Sequence, residues 1–433
     1  MNNLRRIVSA LAVLLCLNAN AHAAKPEVVV QGWYHLVLEL IRHTPTYTPP
    51  VASRALGYLG VTAFEATVSG SDKLQTLAGQ LNELTPAPQR EAGATYDEAV
   101  ILDAALAAST RDYFSNTGPT GQRAITAMAA KSTSEVTAGV PADVVARSQA
   151  YGQAVAKHIF DWSQNDGGAK IENMGFPMKY ELKKGPGLWV PTSAIIQQQA
   201  PLLPEWGNNR PFAMPKDAVC DLAPPVAYSE EPTSEFFKQA KEVFDIKAAL
   251  TPEQKGIARF WADDAMLTTT PPGHWVSIAL QILARDNKGL DDHVDVLARL
   301  GISQADAFIG CWKGKYQYNS IRPITYIKKL MDPKWESTLN TPPFPEYPSG
   351  HSTQSGAAAI VMTAFFGDNF SFEDATYVKD GIKAKTFASF QAASDEAALS
   401  RIYGGIHFRA AVENGQKQGQ CIGKYAANLK TRK

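Results

Sequence analysis

The sequence predicts an all-α protein, one large helical bundle or two fused bundles, with a proline-rich ordered loop region. Three observations carry this. Apolar residues recur at helical spacing, several stretches are alanine-rich and amphipathic, and strand-like alternation is scarce. With 433 residues, 45% of them hydrophobic and 19% charged, the chain can bury a large core. That excludes collagen-like, coiled-coil and wholly disordered classes. Lys+Arg and Asp+Glu both number 42, so no basic excess is available to grip a nucleic acid.

Taken in order, residues 1–23 read as an export leader. Arg5 and Arg6 precede an apolar run from residue 7 to 17, and Ala21-His22-Ala23 supplies the small residues of a cleavage site. The run is shorter than the roughly 20 residues a bilayer span needs. Cys16 follows Leu15 rather than a small residue, against a lipoprotein box. The expected mature chain is periplasmic or secreted, with no membrane span, because the best later apolar run, 357–366, is too short. An N-terminal helical region should occupy 24–250, with helices over 51–68, 89–114 and 142–162. Residues 167–233 are too rich in proline for helix and too aromatic for a disordered linker, so they read as ordered loops. The last segment of the N-terminal region should be a helix over 235–250. A second region, 251–433, should carry helices over 252–267, 274–285, 291–312, 324–331, 351–366, 377–393, 397–403 and 408–429, forming one compact unit with the first. Cys220, Cys311 and Cys421 remain after the leader, allowing one disulfide and one free thiol, or none.

Three motifs in the second region carry chemistry. In Lys315-Tyr-Gln-Tyr-Asn-Ser-Ile-Arg322-Pro323 the two cations are seven residues apart, two turns if the segment is helical, so both can face one way. Pro348-Ser349-Gly350-His351 stands just before an apolar helix, where free N–H groups and the macrodipole attract an anion. The plain alternative is a helix cap in which Ser349 only satisfies backbone donors. Ser400-Arg401-Ile-Tyr-Gly404-Gly405-Ile-His407 ends a helix at a glycine pair and presents a histidine. Together, three cations, backbone N–H groups and two histidines suit a tetrahedral oxyanion. Arginine forks match its oxygens and lysine adds a point charge. One histidine can attack or coordinate the central atom, and the other can handle protons.

This set, in this order, resembles the superfamily of type 2 phosphatidic acid phosphatases and vanadium-dependent haloperoxidases. Phe260-Trp261-Ala262-Asp263-Asp264 and Thr270-Pro271-Pro272 are similar to the haloperoxidase branch, as is the tryptophan- and proline-rich stretch 187–212. The resemblance implies an active site at the ends of the C-terminal helices and vanadate as cofactor. Lys315, Arg322 and Arg401 would hold its oxygens, with Ser349 and the Gly350 N–H completing the cradle. His407 would ligate vanadium, and His351 would be the acid–base residue. Asp264, or its neighbour Asp263, would pair with Arg401. Trp312 and Phe344 would line a halide pocket, and His274 would sit near it. His35, His43, His158 and His293 read as structural or exposed. In many of the phosphatases an acid four residues past the second histidine orients its ring. Here that position is Ala411, so a main-chain carbonyl or, less favourably, Glu413 would have to serve.

The implied activity is oxidation of a halide, iodide or bromide rather than chloride, by hydrogen peroxide to a hypohalous acid that halogenates an organic acceptor. Two other readings remain. A secreted acid phosphatase would use His407 as nucleophile and His351 as acid. A non-catalytic oxyanion-binding protein would need the cations but not two histidines. The haloperoxidase ranks first.

Overall fold

Prolines open many of the helices. One stands at the first or second position of α1 (Pro26–Arg42), α2 (Pro49–Val68), α4 (Gly118–Val136), α8 (Pro252–Phe260), α9 (Thr270–Arg285) and α11 (Pro323–Leu330). There its fixed φ suits the helix and its missing N–H costs nothing. The other helices are α3 (Glu98–Tyr113), α5 (Ala142–Ser163), the short α6 (Gly168–Ile171), α7 (Glu235–Ala248), α10 (Leu290–Tyr318), α12 (Gly350–Phe366), α13 (Phe390–Tyr403) and α14 (Arg409–Ala427). This computed structural model describes residues 24–433 apart from 175–178, 193–198, 217, 219 and 221. Among these the only strands are β1 (Phe372–Asp374) and β2 (Lys385–Phe387), paired antiparallel. The fold is all-α, as the sequence predicts. The expected leader lies outside the described residues.

The main buried cluster draws on both sides of residue 250, from Val29 on α1 to Ala426 on α14. Two glycine-lined contacts set its tightest packing. On α2 and α10, a Cβ on Gly60 would come within 2.8 Å of the Ala298 Cα, and one on Gly301 within 2.8 Å of the Leu56 carbonyl. On α14, Gly415, Gly419 and Gly423 recur every fourth residue and so share one face. They lie against Ser349, Thr353 and Ala357, which share one face of the Ser349–α12 segment. A Cβ on Gly419 would fall 1.9 Å from the Thr353 carbonyl oxygen, so only glycine lets these backbones meet. This contact seats the start of α12 against α14.

The proline-rich stretch is ordered against the helices where it is described. Asp306 on α10 accepts from the N–H groups of Phe212, Ala213 and Met214. The Trp189 N–H donates to the Asn319 carbonyl. Arg54 on α2 pairs with Asp166 and Glu172 at 2.6 and 2.7 Å. A disulfide joins Cys220 to Cys421, and Cys311 is a buried free thiol.

Several expected boundaries differ. The helix expected over 89–114 begins only at Glu98, where the Asp97 side chain accepts from the Val100 N–H. The one expected over 252–267 stops at Phe260. Residues 377–393 are not one helix: a short 3-10 turn, Val378–Asp380, and strand β2 precede α13. Gly381, at φ 78°, turns the chain there. Helices α1 and α4 were not anticipated.

Candidate active site

Five chain segments meet at the motif residues. Lys315 lies in the last turn of α10, which ends at Asn319 in the left-handed conformation. That turn carries the chain out of the helix, so Arg322 is the residue preceding α11 rather than two turns along α10. The two cations converge through the turn, and the helical spacing argument does not apply. Ser349, Gly350 and His351 open α12, Arg401 lies in the last turn of α13, and His407 lies just before α14. Gly405, at φ 73°, makes the turn that separates the last two.

The cations differ in what holds them. Lys315 Nζ donates to the carbonyls of Pro345, Glu346 and Pro348. Arg322 donates from Nε and Nη2 to the Phe344 carbonyl and from Nη1 to the Ile406 carbonyl. Arg401 Nη1 donates to the Trp261 carbonyl at 2.6 Å, while its buried Nε has no partner. None of the three forms an ion pair among the described residues. Burial, with Arg322 adding to it, pushes the Lys315 pKa down to about 7. Burial brings Arg322 and Arg401 each to about 10; the carboxylates of Asp264 and Asp263 restrain the fall at Arg401.

The histidines also differ. His407 is buried, its Nδ1 lies 2.9 Å from Glu346 Oε1, and its Nε2 lies 3.2 Å from Arg322 Nη1. These partners assign the proton to Nδ1 and leave Nε2 as the acceptor. Burial first, and then the charges of Arg322, Lys315 and Arg401, hold the His407 pKa well below its usual value. Burial raises Glu346 to about 7, against the pull of Arg322. The His351 side chain keeps 14% exposure, and its Nε2 lies 3.6 Å from Asp263 Oδ2. Burial and the nearby Arg401 push His351 down to about 4, so its resting ring is neutral.

Ser349 does act as a cap: its hydroxyl oxygen accepts from the Ser352 N–H and hydroxyl. Its own proton remains available to a ligand. Gly350 and His351 follow at the first two helical positions, whose N–H groups have no intrahelical acceptor. The plain cap and the anion cradle therefore coexist. Buried cations without a counter-charge are costly unless an anion joins them. The unpartnered Arg401 Nε, the Ser349 proton and three buried cations outside any ion pair fit a tetrahedral oxyanion.

The chain matches a family model described as the second helical-bundle domain of vanadium chloroperoxidase, over residues 295–334 and 328–433. It is 28% identical over 141 residues to the vanadium chloroperoxidase of Curvularia inaequalis; that match covers 27% of this chain and 23% of the relative's length. The crystal structure of a bacterial vanadium-dependent iodoperoxidase is 36% identical, with a TM-score of 0.85, over 94% of this chain and 97% of that one. The chain belongs to the vanadium-dependent haloperoxidases. It is an enzyme of the haloperoxidase type. A bacterial vanadium-dependent chloroperoxidase structure, 17% identical over 90% of this chain and 93% of its own, shares the fold with a TM-score of 0.68.

In this haloperoxidase two sequence expectations need correction. The group behind His407 is Glu346, neither a carbonyl nor Glu413, which lies 3.6 Å from Arg409 instead. Glu346 also accepts from the Phe408 N–H, which fixes it at the entry to α14. A carboxylate between two prolines, just before the Ser349 cap, is the signal that could have found it. It supplies from another segment the acid that Ala411 does not. Second, Asp264 and Arg401 make no hydrogen bond or ion pair. Asp264 acts on Arg401 through its charge, and the Trp261 carbonyl holds the guanidinium. Trp312 is buried and donates from Nε1 to the Leu202 carbonyl, and its ring would lie 3.8 Å from a Cβ on Gly350. Its ring packs 5.0 Å from that of Phe344, which is half-buried. The Phe344 face lies 5.0 Å from Lys315 Nζ and 5.2 Å from the Arg322 guanidinium. A separate cavity of about 520 Å³, lined by Lys313, Gln317 and Gln418 near Cys220, contains none of the motif residues.

Proposed function

We propose that the protein is a vanadate-dependent haloperoxidase that oxidises iodide or bromide, in preference to chloride, with hydrogen peroxide. Halide, peroxide and one proton give the hypohalous acid and water, and the acid then halogenates an organic acceptor. The observation that carries this is the buried cluster of Lys315, Arg322 and Arg401, none of them in an ion pair, around His407, whose Nε2 is the unprotonated nitrogen. Vanadate, when bound, would supply a Lewis-acidic centre that activates peroxide toward halide. Arg401 through Nε, Ser349 through its hydroxyl and Gly350 through its N–H would hold the oxyanion, with the charges of Lys315 and Arg322 behind them. His407 Nε2 would be the ligand nitrogen, kept in that tautomer by Glu346. His351, neutral at rest, would take and return the proton of peroxide. The halide preference is supported by the 36% identical relative, itself an iodoperoxidase.

The test is halide oxidation by purified protein supplied with iodide, bromide or chloride, with and without vanadate. Vanadate-dependent turnover, fastest with iodide or bromide, is expected. Undiminished activity after vanadate removal, or a preference for chloride, would overturn the reading. We also infer export through residues 1–23. The Cys220–Cys421 disulfide supports this, since such bonds persist in oxidising compartments. Sequencing of exported material should find a start near Ala24; a start at Met1 contradicts it.

A further inference from the structure

Behind His351 lies a polar cluster that makes no hydrogen bond to Lys315, Arg322, Arg401 or His407. His274, on α9, is completely buried, with the Trp261 ring 4.6 Å away. Its Nδ1 meets the two oxygens of Asp263 at 3.0 and 3.2 Å, and its Nε2 meets Asp374 Oδ2, from β1, at 2.8 Å. A ring with a carboxylate at each nitrogen donates from both and is an imidazolium. Burial opposes that charge, but Asp263 and Asp374 outweigh it and hold the His274 pKa up at about 10. Tyr377 donates its hydroxyl to Asp263 Oδ1 at 2.5 Å. The other Asp263 oxygen faces His351 Nε2 at 3.6 Å, and that nitrogen is buried with no hydrogen bond.

A core does not need such a cluster to be stable, since apolar residues of similar volume often serve as well or better. The segment that delivers Asp263 is also strained. Asp263, Met266 and Thr270 have φ of 49°, 69° and 62°, three non-glycine residues in left-handed conformation within eight positions. Strain of this kind collects where a side chain must be aimed. The 3.6 Å separation is too long for a hydrogen bond but within ion-pair range. Such contacts commonly tighten when the site is loaded.

We propose that His274 is a positioning residue for the haloperoxidase reaction. Clamped between Asp263 and Asp374, it fixes the Asp263 carboxylate behind His351. The carboxylate then selects the ring form with its proton on Nε2, leaving Nδ1 to accept a proton at the oxyanion site. The proposal rests on the reading of His351 as the proton-handling group.

The test is a double-mutant cycle. His274→Gln and Asp374→Asn are each made in the native chain and in His351→Ala. Vanadate affinity is measured by equilibrium dialysis, with kcat and KM for peroxide at saturating vanadate. In the native background kcat should fall about 10–100-fold, as for other groups that orient a functional histidine, with vanadate affinity unchanged. In the His351→Ala background the same changes should cost nothing further. On vanadate-free protein, imidazole ¹⁵N NMR should find His351 protonated at Nε2 and should lose that preference in His274→Gln. Equal losses in both backgrounds, or no loss in either, overturn the proposal. Should the two core variants fail to fold, Tyr377→Phe, which removes one hydroxyl, carries the same cycle. If His351→Ala alone turns over normally, the reading of His351 has failed, and that is seen without any change at His274.

Discussion

Arg322 and Arg401 both reach the oxyanion site, but their surroundings are opposite. Arg322 spends its donors on the carbonyls of Phe344 and Ile406 and on His407 Nε2. Lys315 beside it is held by three carbonyls, and His407 by Glu346. This side is rigid before any ligand arrives. Across from it, Arg401 makes one bond to Trp261 and leaves Nε unpartnered, and His351 Nε2 is unpartnered as well. One side supplies a fixed field and the ligand nitrogen. The other keeps donors and a titratable ring in reserve. Changes on the first side should therefore act on vanadate binding, and those at the His351 end on turnover.

The largest effect expected from this contrast is at the two histidines. His407→Ala should abolish stable vanadate binding, because the cations alone attract the oxyanion without a coordinate bond to hold it. His351→Ala should keep vanadate and slow peroxide turnover by about 10²–10⁴-fold, the usual worth of an acid–base group. Vanadate affinity for each variant, then turnover at saturating vanadate, decides. If His351→Ala loses vanadate while His407→Ala keeps it, the two sides have been assigned the wrong way round.

What the sequence disclosed follows the range over which each feature is encoded. Lys315, Arg322, Ser349, Gly350, His351, Arg401 and His407 were legible because each lies in a short motif with its own turn or cap nearby. Glu346 was not, since it meets His407 across 61 positions and the phosphatase resemblance looked instead to Ala411. Between prolines, a lone glutamate reads as a solvated loop charge. The pair Asp263-Asp264 could not be resolved by pattern, because the positive φ at Asp263 decides which carboxylate turns inward. The fold class was legible from periodicity, while the seam of Gly415, Gly419 and Gly423 passed unnoticed. Its spacing is visible in the chain, but its partner, the start of α12, is known only from packing.

The next effect in size tests Glu346. Glu346→Gln keeps the shape but removes the carboxylate that accepts from His407 Nδ1 and the Phe408 N–H. The amide can turn its NH₂ toward the ring and favour the wrong tautomer, putting a proton on Nε2. Vanadate should bind about 10–100-fold more weakly, in line with other groups behind a metal-bound histidine. Native affinity in this variant would mean that Arg322, not Glu346, sets the ring.

The smallest effect is a pH slope on the rigid side. Burial, helped by the charge of Arg322, leaves the Lys315 pKa at about 7 in the free protein. An anion beside it favours the charged amine, so the pKa must rise on binding. Above pH 7 the free protein carries less charge there than the complex, and binding takes up a proton. Below pH 7 both forms are charged and none is taken up. Lys315 should therefore add no slope below pH 7 and a loss of about tenfold in affinity per pH unit above it, until the pKa of the complex is reached, while Glu346, also at about 7, titrates alike in both proteins compared below. Arg322 and Arg401, at about 10, stay charged through this window and add no slope. The anion's own titration is common to every variant, so the comparison is with Lys315→Gln. That change should weaken binding at pH 6 and flatten the profile between pH 7 and pH 8. An equal slope in both proteins would remove Lys315 from the binding charge and leave the field of this side to Arg322 alone.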